Sequence, residues 1–288
     1  MRGLLPDGPG RAAAYGDSPG KGQGMLLAVE TSGAVGSVAL FDQGVCRLSR
    51  SLQLGGRHGQ TLLPEIDQLL KELGLAPAQI TAVAVGLGPG SYTGLRIGVV
   101  CAKTLAFALR CPLIGVETFR CIAVASAAGT TGSPATRPGA EETEKLNVGP
   151  AAANTNPANP GGPESPSLWV VADALRGRLF TGRYSIAGRE QLTALEPLAV
   201  REMTDWLGCL RPGDRVSGPG GELVRASLPE GIELTPPATW LPQAEEVGRL
   251  GMLDLSRGIT HDPATLAPLY LRESSAETQW DKLHGGRK

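Results

Sequence analysis

The residues best placed to do chemistry lie in the run Gly86-Leu87-Gly88-Pro89-Gly90-Ser91-Tyr92-Thr93-Gly94-Leu95-Arg96-Ile97-Gly98. This glycine-rich turn sits between an apolar strand candidate, Ala82-Val83-Ala84-Val85, and a stretch of helical periodicity reaching about Leu109. A helix that starts in such a turn offers unpaired N–H groups and the positive end of its dipole, which suits phosphate. The spacing meets neither nucleotide fingerprint: the phosphate loop needs Gly-Lys-Ser/Thr, and the dinucleotide turn needs glycine where Ser91 stands. A second reading rests on Gly94, Gly98, Ala102 and Ala106, which recur every four residues and line one helical face with almost no side chain. Glycine inside a helix costs roughly 0.5 to 1 kcal/mol relative to alanine, so this face needs a compensating close contact, in the chain's own core or on a partner helix.

Other candidates are weaker. Glu30 ends an apolar run, and the Thr31-Ser32 turn after it can touch phosphate or simply satisfy its own backbone. Ser217-Gly218-Pro219-Gly220-Gly221 has the form of an adenosine-side turn, which makes Thr31, Ser32, Gly218 and Gly220 the candidate nucleotide residues. His58 is followed by Leu62 where a second histidine would complete a metal pair, and His261 and His284 are remote, so His58 reads as a cap or surface group and no metal site is expected. Asp173 with Arg176 and Arg178 reads as a surface charge pair. No Ser-His-Asp order or G-x-S-x-G elbow is present, and no catalytic residue is assigned.

These groups need a scaffold, and 288 residues that are 41% hydrophobic and 19% charged are enough for one large or two small cores. A net charge of -1 and 4% aromatic residues argue against a free-standing nucleic-acid binder, so RNA contact is expected only with a partner's help. Five cysteines, odd in number and without a C-x-x-C pair, fit buried thiols in a reducing cytosol. Ile97 to Val116 is interrupted by Lys103, Arg110 and Pro112, which reads as a core helix and strand and not as a membrane span. Residues 1–24, rich in glycine, proline and alanine, read as a disordered tail or misassigned start with Met25 as the functional start; residues 127–167 read as a disordered proline-rich insertion.

Between these segments the pattern predicts two lobes, 25–126 and 168–272, the second with a C-terminal return segment that docks back on a lobe near Tyr270-Leu271-Arg272, followed by a polar tail, 273–288. The first opens with strands at Met25–Glu30 and Gly36–Phe41 and a third within Gly44–Ser51. A helix over Gln60–Leu73 follows, with Leu62, Ile66, Leu69 and Leu70 on one face and Gly74 as its cap; strands at 80–85 and 113–116 flank the glycine-rich helix. The second repeats the opening with strands at 168–173 and 179–184. Each lobe is thus an α/β mixed sheet flanked by helices, and the repeated strand, polar turn, strand opening resembles the two-lobe actin-like, Hsp70-like (RNase H-like) fold.

Leu27-Ala28-Val29-Glu30-Thr31-Ser32, His58 with Leu62-Leu63-Pro64, the glycine-rich block Gly88–Gly98, and Pro268-Leu269-Tyr270-Leu271-Arg272 closely resemble the bacterial TsaB (YeaZ) family from Met25 to about Arg272. The resemblance implies a non-catalytic cytoplasmic subunit of the machinery that makes threonylcarbamoyladenosine in tRNAs reading codons that begin with A. It pairs with the catalytic paralogue TsaD through first-lobe helices and is joined by the ATPase TsaE. No cofactor is expected to be required, with ATP or ADP only at a subunit interface, and tRNA contact is expected only through the complex; a homodimeric binding module that uses the same helix faces for self-association is a competing reading. The expected interface is Leu62, Ile66, Leu69, Leu70, Gly94, Gly98 and Ala102, and Gly98→Leu is expected to block pairing while leaving the chain folded. The family's His-Ser-Glu is here His58-Gly59-Gln60, which removes a carboxylate. The rival reading is an ATP-dependent phosphotransferase or metal-assisted transferase working between Glu30, the glycine-rich loop and Gly218–Gly221.

Overall fold

A computed structural model describes residues 24–52, 58–128, 166–185 and 192–271, which form two compact units, 1–122 with 241–288 and 123–240. The expectations for 1–23, 129–165 and 273–288 lie outside the described residues, as do Arg272, His284 and the His58 side chain.

In the first unit β1 (Met25–Glu30), β2 (Ser37–Asp42) and β3 (Val45–Ser51) form an antiparallel meander, and β4 (Ile80–Gly86) and β5 (Leu113–Val116) add parallel strands in the order β3-β2-β1-β4-β5. The near-continuous apolar runs of β1 and β4 belong to central strands buried on both faces. One face, Leu27, Val29, Val83 and Val85, packs against α1 (His58–Glu72) and α2 (Tyr92–Leu109). Gly74 ends α1 at φ +67, with the Leu75 N–H reaching Leu70 O at 2.9 Å. By length and composition α2 could cross a membrane, but Gly94, Gly98, Ala102 and Ala106 bury one of its sides within the unit.

The other face receives a helix that the sequence pattern did not single out. After β5, α3 (Thr118–Ala128) carries the chain past the unit boundary at Ile122. In the second unit, β6 (Ser167–Asp173), β7 (Arg178–Ser185), β8 (Ala199–Glu202), α4 (Met203–Leu207), β9 (Arg215–Ser217), α5 (Gly221–Val224) and β10 (Glu233–Leu234) follow. The chain then returns: α6 (Ala244–Ser256) lies on β1, β2 and β4 of the first sheet. The second unit therefore ends at Trp240, and the expected return segment, grouped in sequence with the second lobe, packs with the first unit from Leu241 onward. The reason is steric, because a Cβ on Gly248 would come within 2.1 Å of Phe41 and one on Gly251 within 2.7 Å of the Ala84 Cβ. The return strap is held by Lys103 Nζ donating to Leu266 O at 2.8 Å and by the Gly115 N–H donating to His261 Nδ1 at 3.1 Å. Arg120 pairs with Asp254 through two bonds of 2.7 and 3.1 Å.

The second sheet has the order β10-β9-β6-β7-β8, which is the first sheet's order with β6 to β10 in place of β1 to β5, and the same parallel and antiparallel pairings. The expected duplication is thus present at the level of topology. Trp169 and Trp206 meet edge to face at 6.4 Å in its core. Asp214, fully buried, accepts hydrogen bonds from Ser167 N at 2.7 Å, Ser167 Oγ at 2.9 Å, Trp169 Nε1 at 3.2 Å and Arg211 N at 3.0 Å. Truncating this carboxylate would leave four donors without an acceptor. Asp214→Ala is expected to destabilise the second unit by about 3 kcal/mol, read from urea unfolding followed by tryptophan emission; a loss below about 0.5 kcal/mol would mean that water replaces the carboxylate freely.

Candidate functional site

The glycine-rich run works as a seat for the turn after β1. Thr31 Oγ1 donates to Gly94 O at 2.7 Å, and the Ser91 N–H donates to Ser32 O at 2.8 Å. Ser91 is also the N-cap of α2, its hydroxyl accepting from Gly94 N at 3.2 Å. The glycines follow from this approach: a Cβ at Gly90 would stand 2.6 Å from Ser32 O, one at Gly94 2.0 Å from Thr31 O, and one at Gly98 2.2 Å from Thr31 Oγ1. Of the two sources of compensation for the glycine face, the chain's own core supplies it.

Glu30 anchors the turn from beneath. It is fully buried; Oε1 accepts from Ser32 N at 2.5 Å, and Oε2 accepts from Thr118 Oγ1 at 3.4 Å, which itself accepts from Gly88 N at 3.0 Å. Only glycine fits at position 86, since a Cβ there would lie 2.0 Å from Oε2. Burial pushes the Glu30 carboxyl above its usual 4.5, while the bonds from Ser32 and Thr118 pull the other way. Enclosed in this way, the carboxyl holds the turn.

A small cavity of about 210 Å³ remains between the 32–34 turn and Ser91, Thr93, Gly94 and Ile97. Of the four nucleotide candidates, Thr31 has its hydroxyl committed to α2, and Ser32 borders this cavity. Gly218 (φ +102) and Gly220 pack against their own strand in the second unit, where Gly220 N donates to Val171 O at 2.9 Å and a Cβ at Gly218 would meet that oxygen at 2.4 Å. The close approach of two backbones accounts for these glycines. Asp173 caps its own turn, accepting from Leu175 N at 2.6 Å. Among the described residues no group of three or more His, Cys, Asp or Glu side chains converges as a metal site would require.

The expected interface residues need correction. Leu62, Ile66, Leu69, Leu70 and Ala102 are at most 4% exposed, and Gly94 and Gly98 are buried against Thr31. Gly98→Leu would therefore unseat the turn and could not report on pairing alone. The residues that α1 and α2 turn outward are Leu63, Val100 and Phe107, at 56%, 61% and 77% exposure, with Arg96 and Tyr92 at the head of the stripe. Gly59, one turn before Leu63, faces Ile97 of α2 at 3.6 Å, which makes the two outer faces adjacent. Sequence reasoning missed them because a helix that is apolar on both sides shows its inner face and its outer face alike. The available signal was that Leu63, Val100 and Phe107 fall outside the main periodic set.

Gly94→Ala is expected to cost at least about 3 kcal/mol because the Cβ meets backbone, whereas Val100→Ala should stay within about 0.5 kcal/mol; equal losses in thermal or urea unfolding would refute the seat. Glu30 gives a pH test. Since its folded pKa is raised above 4.5, its contribution is fully present below that value and is lost as pH rises through the folded value. The stability of the native chain minus that of Glu30→Gln is expected to fall as pH rises from about 4 to about 9, and a difference independent of pH would contradict burial as the dominant force.

The tRNA N6-adenosine threonylcarbamoyltransferase (TsaD) family model matches residues 54–138, the stretch with α1, the glycine-rich run and α2. The tRNA threonylcarbamoyladenosine biosynthesis protein TsaB of Bacillus subtilis is 26% identical over 88% of this chain and 97% of its own length. The protein of that name from Escherichia coli is 38% identical over 34% of this chain and 42% of its own length. Among solved structures, YeaZ from Pseudomonas aeruginosa superposes with a TM-score of 0.64 at 25% identity, covering 86% of this chain and 100% of that one. Similarity along nearly the whole length to the TsaB protein of Bacillus subtilis and to YeaZ from Pseudomonas aeruginosa makes this chain TsaB-like (YeaZ-like) in sequence and fold.

Proposed function

We propose that the chain is a non-catalytic subunit that serves tRNA threonylcarbamoyladenosine biosynthesis by pairing with a TsaD-type paralogue through the outer face of α1 and α2. The role in this biosynthesis is supported by similarity to TsaB proteins, along nearly the whole length in Bacillus subtilis and over 34% of this chain at higher identity in Escherichia coli. The observation that carries the pairing is the stripe of Leu63, Val100 and Phe107, large apolar side chains left more than half exposed on two adjacent helices. An apolar stripe presented on a rigid helix pair is what a partner of related fold can cover with its own helices. The non-catalytic part is supported by Glu30, whose carboxyl is fully buried and engaged in holding the turn. An ATPase of the TsaE type would join the pair, ATP or ADP would sit at a subunit interface, and tRNA would be met only by the assembly in the cytoplasm.

The test is light scattering of the chain alone and mixed with the TsaD-type paralogue of its genome, with and without ATP. A one-to-one complex is expected, and Phe107→Glu is expected to weaken it at least tenfold, about 1.4 kcal/mol, while the exposed position leaves thermal stability nearly unchanged. Association equal to that of the native chain would remove this face from the pairing. No association under any condition, with ATP consumed by the chain alone, would overturn the reading.

A further inference from the structure

Arg96, Val100, Lys103, Phe107 and Arg110 follow one another along α2 and its cap at alternate steps of four and three, so they share one ridge, turned away from the buried Gly94, Gly98 and Ala102. Cation and apolar group alternate on it, and no Asp or Glu occurs from Tyr92 to Arg110. Val100 and Phe107 are more than half exposed, and Arg96 and Arg110 are exposed beside them. Lys103 serves the fold, its Nζ donating to Leu266 O at 2.8 Å. Arg96 is steadied by a ring: its guanidinium lies 5.0 Å from the centroid of Tyr92, which packs 5.0 Å from Tyr270. Among the described residues neither Arg96 nor Arg110 forms an ion pair. The adjacent helix does not supply the missing charge, because Asp67 of α1 is paired with Lys71 at 2.7 Å, and Glu65 and Glu72 face Arg50 of β3.

This pattern restricts what can cover the ridge. In a two-fold dimer the same patch meets itself. An axis across the middle of α2 would set Val100 against Phe107 of the second copy, and with them Arg96 against Arg110 and Lys103 against Lys103. An axis along the helix would set every cation against its own equivalent. Either arrangement that joins the apolar groups of two copies therefore faces like charges, which is unfavourable without counter-charges. A partner with carboxylates meets the opposite situation. At about 1.5 Å per residue Arg96 and Arg110 stand about 21 Å apart, so a helix laid along the ridge reaches both when its carboxylates are about 14 residues apart.

We propose that the ridge takes a helix that carries such carboxylates on either side of apolar groups, and that its positive charge excludes a second copy of this chain from the same face. Applied to the paralogue, this rests on the pairing proposed above; the charge of the face is tested without it. The probe is this chain with the ridge reversed, Arg96→Glu together with Arg110→Glu, which presents carboxylates at the required spacing beside the same apolar groups. Both positions are exposed, so thermal unfolding is expected to be nearly unchanged. Light scattering over a dilution series at about 0.02 M salt compares the native chain, the reversed chain and their equal mixture. The mixture is expected to associate at least about tenfold more tightly than either chain alone, and to lose that advantage at about 0.5 M salt. Arg96→Ala with Arg110→Ala, which removes repulsion without adding charge, is expected to self-associate more tightly than the native chain. A mixture no tighter than the native chain alone overturns the proposal, and so does a native chain that dimerises as tightly as the alanine variant. With the paralogue, the reversed chain is expected to bind at least about tenfold more weakly than the native chain; equal binding overturns the acidic partner. Failure of the native chain to bind the paralogue overturns the pairing and leaves the mixture to decide the ridge, so the two failures are distinct.

Discussion

The approach of the Thr31 backbone to the face of α2 is the constraint on which the first unit depends. Thr31 O lies where a Cβ of residue 94 would be, and Thr31 Oγ1 where one of residue 98 would be. The helix must therefore be bare along that line, at a propensity cost of roughly 0.5 to 1 kcal/mol per glycine. In return the turn is bonded to the helix through Thr31 and Ser91, and Glu30, fully buried, holds the same turn from below. The glycine face that resembles a phosphate cradle in sequence is here occupied by Thr31 and Ser32, with a small cavity left beside Ser32, Ser91 and Thr93.

The second unit repeats the strand order with a different hub. Its sheet has the same sequence of antiparallel and parallel pairings, but Asp214, at the start of β9, gathers the ends of neighbouring segments through four hydrogen bonds. Its glycine-rich turn serves close packing on β6, as Gly218 and Gly220 show against Val171 and Ala172. In both units glycine marks backbone meeting backbone. A shared topology is thus held by unrelated polar contacts, which is why the repeat is faint in the sequence and plain in the pairing of strands.

Function on this reading resides in a surface. The inner sides of α1 and α2 are consumed by the core of Leu27, Val29, Val83 and Val85, and what remains for association is the opposite side, where Leu63, Val100 and Phe107 project. Phe107, at 77% exposure, stands outside the core of this unit and on this reading is a residue that the partner covers.

Much of this was legible in the residues. Continuous apolar runs located β1, β2, β4 and β6, helical period located α1 and α2, Gly74 ended α1, and the glycine-rich turn was placed at the head of α2; these are local effects of backbone geometry that neighbouring residues carry by themselves. The family resemblance rested on the same local blocks. What the sequence could not contain was which side of α2 faces inward, because a period reports that a face exists and not what covers it. Nor could it place α6 on the first sheet: Gly248 and Gly251 acquire meaning only against Phe41 and Ala84, some 200 and 170 residues away by the numbering of the chain. Local chemistry determined the elements and carried the family resemblance; the long-range packing of those elements decided which residues were core and which were left exposed, since burial is a property of the assembled neighbours and not of any residue alone.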